Sequence, residues 1–163
     1  MNVGLYVDVS NLYYCLNQRY DGKKLNYKKY IYYVKSLGTL IHSCAYGSHL
    51  NNEAGTFIDH LKSLGFETKF KEPKVFHNKQ GIKRKADWDV GITIDLVNDY
   101  SRFDRIVIGT ADGDLAPTVS WLIDKGISVI ILACNISRDL KELIPSASIE
   151  IPESMTQLFK ENT

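Results

Sequence analysis

Strand-length apolar runs alternate with stretches of helical period along the whole 163-residue chain, and that alternation leaves few folds open to it. Val3 to Val7 reads as a buried strand, followed by a helix over Asn11 to Gln18 carrying Leu12 and Leu16. Asn26 is placed to cap a second helix, in which Tyr30, Tyr33, Val34 and Leu37 share a face. Thr39 to Tyr46 reads as a strand, Glu53 to Leu64 as a helix closed by Gly65, and Phe66 to Phe70 as a strand nearer the sheet edge. Lys71 to Lys85 has no period and reads as one long loop. Ala86 to Val97 reads as a helix with Val90, Ile94 and Val97 turned inward. Arg105 to Ile108, Ile127 to Leu132 and Ser148 to Ile151 are strands, separated by helices over Leu115 to Lys125 and Ser137 to Leu143. Pro152 stands at the first position of an expected terminal helix. Strands separated by helices imply an α/β fold with a mainly parallel sheet and right-handed crossovers. The length suits one domain, expected to span 1–163.

Bulk composition then narrows the function. An apolar fraction of 44% and a charged fraction of 24% are those of an ordinary globule. A net charge of +1 carries no general attraction to nucleic acid, so any such attraction must be local. Cys15, Cys44 and Cys134 are scattered, odd in number and without CxxC spacing, which disfavours a disulfide framework or zinc site. Apolar runs stay far below the roughly 20 residues of a membrane span. The expectation is a cytoplasmic protein with no leader and no membrane contact.

The carboxylates carry the chemistry. Asp8 follows the first strand, with Asn11 three residues on; alone, Asp8 reads first as a helix cap. Asp112 and Asp114, in Thr110-Ala111-Asp112-Gly113-Asp114-Leu115, take the equivalent place after another strand, and Gly113 permits a tight backbone between them. An Asx-turn with a cap is the plainer reading of that string. In open α/β sheets, however, the carboxyl ends of strands border the ligand crevice. Carboxylates gathered there repel unless a cation lies between them, and hard oxygen ligands suit Mg²⁺ or Mn²⁺. Lys85-Ala86-Asp87-Trp88-Asp89-Val90 adds a third element. The helix dipole alone is enough to explain Asp87 or Asp89 at a helix start; of the two, Asp89 is the ligand candidate. Asp95 lies about 240° around the helix from Asp89 and reads as a supporting or structural group that needs a partner.

Three segments together carry a family resemblance: Asp8-Val9-Ser10-Asn11-Leu12-Tyr13-Tyr14, Trp88-Asp89-Val90 with Asp95, and Thr110 to Pro117. In this order the chain resembles NYN-domain proteins of the LabA-like branch, within the PIN-like nuclease superfamily. The resemblance implies a Rossmann-like, PIN-like three-layer sandwich, an acidic Mg²⁺ or Mn²⁺ site and ribonuclease activity. By motif position it carries the metal and catalytic roles to Asp8, Asp89, Asp112 and Asp114, with Asn11 and Thr110 as supporting polar groups. Val9, Thr110-Ala111 and Gly113 depart from the family pattern without removing a carboxylate.

Lys69, Lys71, Lys74, Lys79, Lys83, Arg84 and Lys85 fall within 17 positions, opposed only by Glu72. Such a run is usually a solvated loop. Beside a metal crevice, Lys79, Lys83, Arg84 and Lys85 could instead hold an RNA backbone, with Phe76 or His77 stacked on a base. Seven of the ten tyrosines lie between Tyr13 and Tyr33; packing explains most of them, and some could form a dimer or substrate surface. No Ser-His-Asp or Cys-His arrangement and no P-loop is evident. The leading expectation is therefore a metal-dependent endoribonuclease acting on single-stranded RNA. A non-catalytic RNA-binding or regulatory module is the alternative. A small-molecule phosphatase is weaker, because Asp8-Val9-Ser10 lacks the second Asp of a DxD nucleophile motif.

Overall fold

The computed structural model describes residues 1–48, 54–72, 74–78, 81–85 and 87–158, with backbone alone at 54, 74–78 and 81–85. Its centre is a six-stranded sheet built from β1 (Asn2–Asp8), β3 (Thr39–Ser48), β4 (Glu67–Lys71), β7 (Arg105–Gly109), β8 (Ser128–Ala133) and β9 (Ser148–Glu150). The order across the sheet is β4-β3-β1-β7-β8-β9, and every pair is parallel. The helices α1 (Val9–Arg19), α2 (Tyr27–Lys35), α3 (Ala54–Ser63), α4 (Asp89–Asp99), α5 (Ala116–Asp124) and α6 (Arg138–Leu143) make the connections. Gly65 and Gly126 end α3 and α5 at φ of +96° and +85°, where a side chain would strain the backbone.

Successive strand residues face opposite sides of a sheet, and β1 shows which helix covers which side. Tyr6 donates its hydroxyl to Asp99 of α4 at 2.9 Å. On the opposite side Val7 packs beside Gly109 and the Tyr30 hydroxyl of α2. Thus α2 and α4 form the two outer layers, and the α/β sandwich expected from the sequence is what the chain builds. The strands β1, β7 and β8 are buried almost throughout, as a sheet covered on both faces requires.

Three expectations need correction. Lys71 to Lys85 is not one loop: β5 (Lys74–Asn78) and β6 (Gly81–Lys85) form an antiparallel hairpin pairing Lys74 with Lys85 and Phe76 with Lys83. Its charge and the lack of an apolar period in the sequence hid it. Val90, Ile94 and Val97 point outward, 73%, 54% and 43% exposed, while Ile92 and Leu96 are buried. Asp95 and Asp99 reach Tyr46 and Tyr6, so polar bonds to the sheet set the rotation of α4. The residues after Pro152 form a single tight turn and then β10 (Thr156–Leu158), not a helix. β10 pairs antiparallel with β2 (Lys23–Leu25), a short strand the sequence reading passed over.

Gly109 ends β7 just before the acidic segment. An added Cβ there would lie 2.7 Å from the Tyr30 hydroxyl and 3.1 Å from a Val7 methyl. Tyr30 cannot simply withdraw, because its hydroxyl donates to the Leu132 carbonyl at 2.9 Å in the core. Gly109→Ala should therefore destabilise the fold by about 1–3 kcal/mol. Adding Tyr30→Phe should recover part of that loss in denaturant melts, since it removes the clashing atom. Additive effects of the two substitutions would contradict this account.

Candidate metal centre

The strand order reverses direction between β1 and β7, the switch point where open α/β sheets place ligands. Asp8 ends β1, and Thr110 to Asp114 follow β7, so the two segments flank that point. Polar bonds stitch them together. Asp8 Oδ1 accepts the Asn11 N–H at 3.0 Å, capping α1. Asn11 Oδ1 in turn accepts the Ala111 N–H at 2.9 Å, tying the helix start to the β7 loop. Thr110 is fully buried and takes the Asp112 N–H at 3.3 Å. Asp112 Oδ1 accepts the Asp114 N–H at 3.0 Å, closing the tight turn over Gly113–Leu115. Cap and site are thus not alternatives here: the same aspartates that terminate strands line the crevice.

Asp89, Asp112 and Asp114 come together across this crevice. Each offers a carboxylate oxygen, and the three oxygens lie within 4.8 Å of one another. Asp89 is the first residue of α4, whose start is anchored by Trp88 donating to the Gly47 carbonyl at 2.8 Å. Asp8 is not one of this close group, but it stands next to it, only 8% exposed. Burial pushes its carboxyl up to about 6; the Asn11 N–H opposes that rise, and the charges of Asp87 and Asp112 add to it. Asp89 is pushed up to about 7, first by burial and then by the charges of Asp112 and Asp87. Three hard oxygen donors this close together, with no ion pair to a lysine or arginine among the described residues, fit a small divalent cation.

The other expected residues are distributed more widely. Asp95 turns to the Tyr46 hydroxyl at 2.6 Å and Lys69 Nζ at 2.7 Å, a partner set that answers its position in an apolar helix. Burial works against its charge, yet Lys69 and Tyr46 prevail and hold its carboxyl below the usual range. Lys69 and Lys71 are consequently committed within the fold; Lys71 donates to the Asp87 carbonyl and lies 4.3 Å from the Trp88 ring centre. Lys83, Arg84 and Lys85 are on β6, and Lys79 lies outside the described residues.

Two further carboxylates that the sequence reading did not choose lie near this group. Asp87 was read as a dipole partner, yet it accepts the Asp89 N–H at 2.9 Å and its charge reaches both Asp8 and Asp89. Asp139, in the first turn of α6, lies near Gly113: a Cβ on that glycine would come within 3.4 Å of Asp139 Oδ2 and 2.9 Å of Ser137 Oγ. Asp139 follows β8, so the strand-end logic that singled out Asp8 and Asp112 could have found it. The crowding also gives a physical reason for glycine at 113, since a larger residue would push on the Ser137 cap of α6.

Comparison with known proteins agrees with this architecture. A protein of unknown function from Vibrio parahaemolyticus has the same fold, with a TM-score of 0.83 over 96% of both chains at 22% identity. The low amplitude and bright protein LabA of Synechococcus elongatus is 31% identical over 90 residues, 52% of this chain and 48% of LabA. The chain thus matches about half the length of that curated relative. No helix among the described residues is long and apolar enough to cross a membrane. The NYN domain model matches residues 2–151, nearly the whole sheet and its helices, and the chain belongs to the NYN domain family.

Proposed function

We propose that this protein is a metal-dependent ribonuclease that hydrolyses phosphodiester bonds of single-stranded RNA at the Asp89–Asp112–Asp114 crevice. The observation that carries this reading is the convergence of three carboxylate oxygens within 4.8 Å at the switch point of a parallel sheet. Asp89, Asp112 and Asp114 would hold one or two Mg²⁺ or Mn²⁺ ions, with Asp8 beside them. Such an ion, when bound, supplies a water of lowered pKa and neutralises charge on the phosphate oxygens. The protein residues supply the geometry. Asn11 ties α1 to the Ala111 backbone, Thr110 orients the Asp112 backbone, and Asp87 holds the start of α4. Asp8 is buried beside them, and in the metal-free protein burial raises its carboxyl to about 6. RNA rather than a small phosphate ester is favoured by family membership and by the basic hairpin β5–β6.

The test is incubation of purified protein with mixed, end-labelled single-stranded RNAs in Mn²⁺, in Mg²⁺ and in chelator. The Asp114→Asn chain, prepared in parallel, controls for contaminating nuclease. Cleavage by the wild type that requires metal and disappears in Asp114→Asn is the expected result. Equal cleavage by both chains, or cleavage that persists in chelator, would overturn the assignment. RNA binding with no cleavage in any metal would leave a binding module in its place.

A further inference from the structure

The acidic crevice repels an RNA strand, so a substrate of this charge needs a cationic surface outside it. One such surface is not the basic hairpin. From Gly22 to Asn52 the chain has five lysines and no Asp or Glu, although its overall charge is only +1. Three of the five are on α2, at Lys28, Lys29 and Lys35. The inner face of α2 is accounted for by the core: Tyr27, Tyr30, Ile31 and Val34 are buried. Its outer face is different. Lys28, Lys29, Tyr32 and Tyr33, with Ser154 and Met155 from the turn before β10, line an open groove of about 570 Å³.

Two features of that groove match a nucleic-acid strand. Tyr32 is 80% exposed and makes no hydrogen bond or ring contact among the described residues, so its ring is free on the surface. Lys28 is exposed and has no ion pair among the described residues. Glu153, next to Ser154 in the chain, is taken up by Lys23 at 2.6 Å, and Lys29 donates to the Ser154 carbonyl at 3.2 Å. An aromatic face flanked by unneutralised cations is how proteins hold single strands without sequence preference: bases stack and phosphates are neutralised.

Position connects the groove to the crevice. β3 starts beside the first residues of β1, with Thr39 paired to Asn2, so α2 descends from the carboxyl edge of the sheet to its amino edge. The groove therefore starts on the carboxyl edge of the sheet, the edge that carries the crevice, and runs along α2 from Asn26 to Ser36, about 15 Å at helical rise. We infer that the outer face of α2, centred on Tyr32 and Lys28, is a stacking groove for the flank of a single-stranded RNA whose scissile phosphate lies in the acidic crevice. This rests on the ribonuclease reading for its ligand, but binding can be measured without hydrolysis.

The experiment is fluorescence anisotropy with a labelled, mixed-sequence RNA of about a dozen nucleotides, in chelator so that no cleavage occurs. Wild type is compared with Tyr32→Ala, Tyr32→Phe and Lys28→Ala; both positions are exposed, so folding is not at risk. Tyr32→Ala should weaken binding about 5- to 100-fold, as loss of one stacked base does, while Tyr32→Phe keeps most of the affinity. Lys28→Ala should lower the log–log salt slope by about 0.7. Unchanged affinity in Tyr32→Ala, or no measurable binding by the wild type at low salt, overturns the groove. So does a dimer seen in sedimentation that Tyr32→Ala dissociates, because the surface then belongs to a second copy. Metal-dependent cleavage with an affinity indifferent to Tyr32 sinks the groove alone. Binding that depends on Tyr32 with no cleavage in any metal sinks the hydrolytic reading alone.

Discussion

Asp112→Asn should cut metal-dependent RNA cleavage at least about 100-fold while making the metal-free protein more stable. The activity loss follows from removing one charge from a preorganised electrostatic site, where a single group typically contributes 10²- to 10³-fold. The stability gain follows from crowding. Asp89 is pushed up to about 7 by burial and then by the charges of Asp112 and Asp87. An amide at 112 removes a negative charge, can donate a hydrogen bond to Asp89, and still offers an oxygen to the Asp114 N–H. Burial, the largest cause of that rise, is untouched by the substitution and Asp89 is only half-buried, so removing the Asp112 charge should add about 1–2 kcal/mol. At this chain length the melting temperature should rise by about 2–8 °C in chelator at pH 8. Mn²⁺ should then raise the melting temperature of the variant less than that of the wild type, because a ligand stabilises only the state that binds it. If Asp112 served only to close its turn, the variant would melt lower in chelator and both chains would ignore the metal.

The second large effect is a dependence of metal-free stability on pH, centred on Asp8. Its carboxyl moves from an ordinary 3.8 to about 6 on folding, chiefly through burial. A raised folded-state pKa means that the folded chain binds the extra proton between those values. The contribution is therefore fully present below about pH 4 and is lost as pH rises through 6. The change amounts to about 3 kcal/mol. Asp8→Asn isolates it, since Asn caps a helix as well as Asp and carries no charge to bury. In chelator the variant should exceed wild type by about 1 kcal/mol near pH 4.5 and by about 3 kcal/mol at pH 8. Saturating Mn²⁺ should reverse the order at pH 8. Urea melts of both chains across that pH range decide the point; a wild type more stable than the variant at pH 8 without metal would show that Asp8 is not held against its own charge.

Much of this molecule was legible along the chain because its main sheet is parallel and covered on both faces. Val3 to Val7, Ile106 to Ile108 and Val129 to Leu132 are continuous apolar runs for that reason, and Gly65 and Gly126 mark helix ends because their backbone needs positive φ. The strand-end aspartates were visible because α/β topology puts every strand's carboxyl end on one edge. What the chain did not disclose involves contacts remote in sequence. The rotation of α4 is set by bonds from Asp95 and Asp99 to Tyr46 and Tyr6, 49 and 93 residues away, and these outweigh the apolar face of Val90, Ile94 and Val97. Pairing with β2 makes a strand of Thr156–Leu158, although Pro152 favours a helix start locally. Asp87 and Asp139 join the acidic surroundings only once α4 and α6 are packed at the sheet edge. The sequence by itself determined the layers, the strand ends and the residue types at the crevice, because period and composition are local properties. Only tertiary structure decided which carboxylates meet, since charge crowding depends on distances of a few ångströms between segments far apart in the chain.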